Sequence, residues 1–321
     1  MFKSKKKIAV IGCGYWGKNL ARNFFELGAL GAIVDPNLET AQLHAKQYDV
    51  PALDMNEALA DSDIKAVVIA APAELHKKLA LQAITAGKDI YVEKPLALST
   101  SDGEEIRLAA ESAGVTLMVG HLLQYHPVFV KLRNLVKNGD LGNLRYAYSH
   151  RLSMGKFRVE EDAFWSLAPH DVSMILSLFN ESPLEVRGGG LDFITPGVAD
   201  EARVDLIFPS GGRAHIFVSW LHPFKEQKLV VVGDKAMAVF DDTAPWEQKL
   251  AIYKHKINII NSLPNPIKSE VEYIEVQQGE PLKSECQHFL DCIISKSKPI
   301  TDASEAIGVL KVLEAVKLPK A

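Results

Sequence analysis

Cysteine is scarce in this chain, its net charge is small, and it has no long apolar run; each shortage removes a class of protein. The three cysteines, Cys13, Cys286 and Cys292, are an odd number without C-x-x-C spacing, so they form neither a disulfide framework nor a zinc site and are expected as free thiols. Lysine and arginine total 36 against 40 acidic residues, interspersed to a net charge of -4, which leaves no overall field to recruit nucleic acid or an anionic membrane. The one basic cluster, Lys3, Lys5, Lys6 and Lys7, reads as a solvated arm ahead of the first strand. No apolar run reaches the about 20 residues that span a bilayer, and the N-terminus shows no signal-peptide core, so a cytoplasmic protein without membrane partners is expected. An H-E-x-x-H or comparable ligand cluster is absent, so no metal is expected, and the absence of a G-x-S-x-G elbow argues against hydrolase chemistry. What is present is a globular composition, 47% hydrophobic and 24% charged, over 321 residues, a length that suits two domains.

From Lys7 to His121 short β-branched runs alternate with longer amphipathic segments, the pattern of a parallel sheet covered by helices on both faces. Strands are predicted at 8–12, 32–35, 66–71, 89–93 and 116–121, with helices at 19–27, 38–48, 75–86 and 99–113. Beyond residue 122 the rhythm changes. A helix over 126–137, a strand over 144–153 and a helix over 164–179 precede a succession of strands near 184–194, 202–208, 213–220, 228–232, 236–240, 250–254 and 271–276. Turns at Ser210-Gly211-Gly212 and Gly233-Asp234-Lys235 make this sheet largely antiparallel. Residues 258–269, rich in Pro and Asn, read as a loop, and 282–294 and 304–316 read as closing helices. The expectation is an α/β chain with a doubly wound domain over 1–122 and an α+β domain with an open-faced sheet over 123–321. That sheet carries more apolar residues than one helix layer buries, so a homodimer or homotetramer is expected.

The first strand runs into Gly12-Cys13-Gly14-Tyr15-Trp16-Gly17 and then a helix. In such a loop the first glycine permits the tight turn, the second lets the backbone approach a pyrophosphate, and the third lets helix and strand pack closely. The helix N-terminus then faces the phosphates with unsatisfied N–H donors. Asp35 lies 18 residues beyond Gly17, at the end of the second strand. A carboxylate there accepts from the adenosine ribose hydroxyls and repels a 2′-phosphate, so the expected cofactor is NAD rather than NADP.

Ala71-Pro72 with His76, followed by Glu93-Lys94-Pro95 at a strand end and His170-Asp171 on a later helix, resembles the Gfo/Idh/MocA family of sugar oxidoreductases over the whole chain. The resemblance implies a C-terminal domain with a large open-faced sheet, a catalytic His170, a catalytic Lys94, and cofactor contacts from Gly12, Gly14, Tyr15, Trp16, Gly17, Asp35, Ala71, Pro72, His76, Glu93 and Lys94. Two positions depart from the family pattern. Ser166 stands where an Asp usually precedes the catalytic His by four residues, and Gln124 stands where many relatives have Arg. The stretch from Phe164 to Asp171 is similar to relatives that dehydrogenate UDP-N-acetylglucosamine or its uronate at C3, precursors of cell-surface polysaccharide.

The chemistry asks for a base for the hydroxyl proton and a nicotinamide C4 placed to accept the hydride from the same carbon. His170 is read as the base and Lys94 as the group that positions the hydroxyl and stabilises the alkoxide. Because they come from different domains, the expected active site lies in the interdomain cleft. His121, Gln124, Tyr125, Arg151, Trp165, Ser166 and Asp171 are candidate substrate contacts, Arg151 by offering charge to a diphosphate or carboxylate. A free polyol or inositol-type dehydrogenase and a non-catalytic NAD-binding regulator are the alternatives, since one fold hosts several functions.

Overall fold

Five β-branched segments form the first sheet of the computed structural model, which describes residues 7–158 and 161–319; Lys3, Lys5 and Lys6 of the basic cluster lie outside these. The strands are β1 (Lys7–Ile11), β2 (Leu30–Val34), β3 (Ile64–Ile69), β4 (Asp89–Glu93) and β5 (Leu117–Gly120), interleaved with helices α1 (Gly17–Glu26), α2 (Leu38–Tyr48), α3 (Met55–Ala60), α4 (Ala73–Thr85) and α5 (Thr100–Ala113). All pairings are parallel, in the order β2-β1-β3-β4-β5. Ile8, Ala9, Val10, Val67, Val68 and Val92 are wholly buried, which is why these strands read as nearly continuous apolar runs. The winding reverses between β1 and β3, and ligands of open α/β sheets sit outside the carboxyl ends of the strands at such a point. The short α3 was not expected from periodicity. Its signal was the capping box Asp54-x-x-Glu57, in which each side chain bonds the other residue's backbone N–H at 2.8 Å.

The second sheet begins after α6 (Pro127–Lys137), with β6 (Leu144–Met154) followed by α7 (Ala163–Phe179). It continues through β7 (Glu185–Leu191), β8 (Glu201–Ile207), β9 (Arg213–Ser219), β10 (Leu221–Gly233), β11 (Met237–Asp241) and β12 (Leu250–Tyr253), with β15 (Val271–Tyr273) at its edge. The order is β15-β12-β11-β10-β6-β9-β8-β7, antiparallel throughout except for the parallel pair β6 and β9. Alternation decides the faces: Ala202, Val204, Leu206, Ala214, Ile216 and Val218 are buried on the side that α7 covers. The other side carries Tyr148 stacked on His215 at 5.2 Å, and Arg203 lying 5.2 Å above the Phe217 ring.

Residues 258–269, expected as a loop, instead belong to a separate hairpin of β13 (Lys256–Ile260) and β14 (Leu263–Ile267). Pro264 and Pro266 misled the reading. They alternate along a two-stranded ribbon, where one side of each strand needs no N–H donor, so the prolines are tolerated.

By its internal contacts the chain divides differently from the expected 1–122 and 123–321. One unit comprises residues up to Leu122 together with Glu280–Leu310, and the other Leu123–Gly279 with Lys311 onward. The expected second domain, 123–321, is corrected accordingly. The reason is the apolar stripe of α8 (Pro281–Ser295), whose Phe289 meets Phe24 of α1 and Tyr91 of β4 edge-on at 6.4 and 5.8 Å. Thr301 adds a backbone bond from Val119 N at 2.8 Å, and Leu310 and Ile307 of α9 (Ala303–Ala315) fit over Gly103. The last residues return to the second sheet, where Lys317 bridges Gly189. No helix among the described residues is long and apolar enough to cross a membrane.

Candidate active site

Gly12 has φ +88°, and a Cβ there would lie 2.8 Å from the Ala70 carbonyl oxygen; a Cβ on Gly17 would lie 1.8 Å from the Gly12 oxygen. Both positions need glycine for the turn and for packing. Gly14 is different, because a Cβ there would meet nothing within 4 Å. Nothing in the chain's own packing requires a glycine there, so its small size leaves room above the loop for a ligand. Trp16 provides no side-chain cap for α1, and the first turn holds no acidic residue. These amides fit the pyrophosphate of a dinucleotide, with the residues around Gly14 as its cradle. Tyr15 is 85% exposed beside them, and burial, aided by Asp35, pushes the Cys13 thiol up to about 12, so it stays neutral.

Asp35 is pinned at the edge of this loop. Its Oδ2 accepts from Cys13 N at 2.8 Å and its Oδ1 from Asn37 N at 2.9 Å, which leaves lone pairs for ribose hydroxyls. The wild type is therefore expected to bind NAD in preference to NADP. Asp35→Ala should relax that preference by about tenfold or more, since juxtaposed like charges cost several kcal/mol. Calorimetric titration with both dinucleotides checks this, and an unchanged preference would show that Asp35 does not choose the cofactor.

Pro72 starts α4, and His76 on that helix is 1% exposed, with Nδ1 2.7 Å from the Pro95 oxygen and Nε2 2.9 Å from the Ala71 oxygen. Burial lowers its imidazole pKa despite the two carbonyls. The ring links the Ala71-Pro72 turn to the Lys94-Pro95 turn, whose peptide bond is cis. Glu93 closes a second link. Its Oε1 accepts from Trp16 Nε1 at 2.7 Å and from the Tyr91 hydroxyl at 3.1 Å, while Oε2 accepts from Lys94 N at 3.3 Å. The glycine loop is thus tied directly to the turn that carries the half-buried Lys94. His121 is buried and held to Glu305 at 2.6 Å.

In the second unit, Asp162 caps α7 through Trp165 N at 2.9 Å, and Pro169 sits inside the helix, where it offers no N–H to the Trp165 carbonyl. Trp165, Ser166 and His170 are half-buried on this helix. Asp171, 1% exposed, accepts Arg151 Nε at 2.6 Å, the terminal Arg151 nitrogen at 3.2 Å and Ser149 Oγ at 2.5 Å. Arg151 was expected to offer its charge to a substrate; it is committed to Asp171 instead. Gln124 is equally engaged, donating to Ser173 at 2.9 Å and accepting from Arg133 at 2.6 Å, and Tyr125 beside it is buried. Gln124 is not an open contact, because Ser173 on α7 and Arg133 on α6 already satisfy it.

Two features escaped the sequence reading. Tyr91 and Glu285 lie beneath Glu93, and the signal for Glu285 was a charge on the otherwise apolar stripe Leu282, Cys286, Phe289 and Ile293. Two surface clefts, one around Arg107, Gly114 and Lys298 and the other around Phe25, Leu30 and Tyr48, contain none of these site residues. Among the described residues no group of His, Cys, Asp or Glu side chains could hold a metal ion.

Residues 6–121 match the model of an oxidoreductase family with an NAD-binding Rossmann fold, and residues 129–239 match the GFO/IDH/MocA C-terminal domain. The chain is 25% identical over 313 residues to UDP-N-acetylglucosamine 3-dehydrogenase of Acidithiobacillus ferrooxidans, covering 97% of this chain and 96% of that one. The solved structure of that enzyme superposes with a TM-score of 0.85 over 97% of both chains. The scyllo-inositol 2-dehydrogenase (NAD(+)) of Bacillus subtilis is 25% identical over 94% of this chain and 91% of its own length. A 2,7-anhydro-N-acetylneuraminate hydratase of Escherichia coli is 28% identical over 72% of this chain, a match spanning 66% of the hydratase. The glycine cradle, the Glu93-Lys94-Pro95 turn and the matched second domain together make this chain a member of the GFO/IDH/MocA oxidoreductase family, with NAD as its cofactor.

Proposed function

We propose that the protein oxidises a sugar hydroxyl to a ketone, and that its substrate is a UDP-N-acetylhexosamine or the corresponding uronate, attacked at C3. The observation that carries this reading is the disposition of Asp171. Its carboxylate is spent on Arg151 and Ser149, which argues against it as the base, and the role is assigned to the adjacent imidazole of His170. Bound NAD supplies the hydride acceptor. Lys94 donates a hydrogen bond to the reacting hydroxyl and stabilises the alkoxide, His170 removes the proton, and Trp165 and Ser166 line the sugar's path. Likeness over nearly the whole length to a UDP-N-acetylglucosamine dehydrogenase supports the nucleotide-sugar class. The inositol dehydrogenase likeness, also nearly full-length, supports a free polyol as the second reading.

Reduction of NAD followed at saturating cofactor separates these readings. Turnover is expected with UDP-N-acetylglucosamine or its uronate and not with free inositols. Activity confined to free polyols would replace the substrate class, and no turnover across a broad panel of both classes would favour a non-catalytic NAD-binding role.

A further inference from the structure

A polar cluster is sealed into the apolar layer between β4 and α8. Tyr91 is fully buried against Phe289, and its hydroxyl proton goes to Glu93. With Trp16 Nε1 and Lys94 N also donating, Glu93 faces three donors, the surroundings of an ionised carboxylate. Glu285 on α8 has the opposite surroundings. It is 1% exposed, and neither of its carboxyl oxygens has a hydrogen-bond partner among the described residues. Its polar neighbour is the Tyr91 hydroxyl, whose proton is already given to Glu93, and the charge acting on it is that of Glu93.

Burial, then the charge of Glu93, pushes the Glu285 carboxyl well above the usual range. Burial raises Glu93 as well, but Trp16, Tyr91 and Lys94 work against that rise. The other groups facing the cluster do not supply a counter-charge to Glu285. The Cys286 thiol on α8 is also pushed well up by burial and by the two carboxyls. Asn23 is an amide, and Arg22, from α1, is committed to Glu26 and Glu280. Two carboxyls so placed hold a single negative charge, and the donors locate it on Glu93.

We propose that Glu285 is a positioning residue whose neutral form keeps the Trp16–Glu93 clasp closed, and that its ionisation opens the clasp and weakens NAD binding. A second carboxylate charge in these surroundings is poorly screened and repels Glu93. The Trp16 bond is the link such repulsion strains. Trp16 is the N-cap residue of α1, so moving it displaces the first-turn amides proposed to face the pyrophosphate, while the added negative charge opposes the phosphates. A buried acid without a full set of partners costs the fold stability.

The test is calorimetric titration of the full-length protein with NAD across the neutral-to-alkaline range, comparing wild type, Glu285→Gln and Trp16→Phe. In wild type the NAD Kd should rise by about tenfold per pH unit once Glu285 loses its proton, as one linked proton requires. The amide in Glu285→Gln imitates the neutral acid and cannot ionise, so that limb should vanish. Trp16→Phe, which removes the clasp's donor, should bind NAD more weakly throughout and lose most of the limb. Melting curves supply an independent readout. Folding retains the Glu285 proton, so the acid's penalty is absent below the ordinary glutamate range and grows as pH rises toward the folded-state titration. The Tm advantage of Glu285→Gln should therefore widen with pH. A wild type without the limb, or a Glu285→Gln variant with the same limb, would overturn the proposal; a Tm difference independent of pH would show that Glu285 is not neutral in the fold.

Discussion

Replacing His170 with Asn should lower turnover by roughly 10² to 10⁴, the range for loss of a general base, while NAD affinity stays close to that of wild type. The separation follows from where the groups lie. Every residue of the dinucleotide cradle, from Gly12 to Asp35, belongs to the first unit, whereas His170 sits on α7 of the second. Lys94→Ala should also remove most turnover, with a larger rise in KM, because the ammonium both holds the hydroxyl and stabilises the alkoxide. If the two act on one hydroxyl, the double variant will lose much less than the product of the single losses. Steady-state kinetics on whichever sugar of the panel is turned over, with NAD binding measured separately, checks all three variants. Near-wild-type turnover in His170→Asn would remove it as the base, and fully multiplicative losses would mean that Lys94 and His170 serve separate steps.

The residues of the dinucleotide half were legible because their constraints are local. A glycine loop between a strand and a helix, and a carboxylate at the next strand's end, are fixed by backbone geometry at Gly12 and Gly17 and by the Asp35 bond to Cys13 N, which their spacing reveals. Partnerships between distant residues were not legible. Arg151 and Asp171 are 20 residues apart and meet only because β6 lies under α7, so the sequence left Arg151 looking like a free cation. Gln124 likewise gained Ser173 from 49 residues away. The placement of α8 in the first unit has the same origin. Its stripe was readable as a buried face, but nothing local said that the face would meet Phe24 and Tyr91. The hairpin at β13 and β14 failed for another reason, since proline frequency is a poor guide in a ribbon with two free edges.

Asp171→Ala should destabilise the second unit by about 3–5 kcal/mol, because it leaves the Arg151 guanidinium buried without its partner. The side chains of the pair are only 12% and 1% exposed, so solvent cannot replace the lost carboxylate. Burial disfavours the Arg151 charge, and the two-oxygen contact with Asp171 more than restores it, raising its pKa in the fold. Ser149 Oγ, which donates to the same carboxylate, would be left with only the Lys228 carbonyl oxygen at 3.4 Å. Against a typical total stability of roughly 5–15 kcal/mol, such a loss should lower Tm by about 6–20 degrees in a unit of this size or prevent recovery of folded protein. A charge-free pair separates the cost of a broken ion pair from the worth of the intact one. Arg151→Met with Asp171→Leu removes both charges together and should recover most of the stability, since well-packed apolar replacements of buried pairs are often neutral or better. Thermal and urea unfolding of the two variants distinguishes the cases. A loss below about 1 kcal/mol in Asp171→Ala would mean the guanidinium reaches water, in the range of an exposed pair. Turnover of the double variant then carries the functional answer. Activity restored along with stability would confine the pair to supporting α7, whereas a stable but slow enzyme would show that the Arg151–Asp171 pair also orients the adjacent His170.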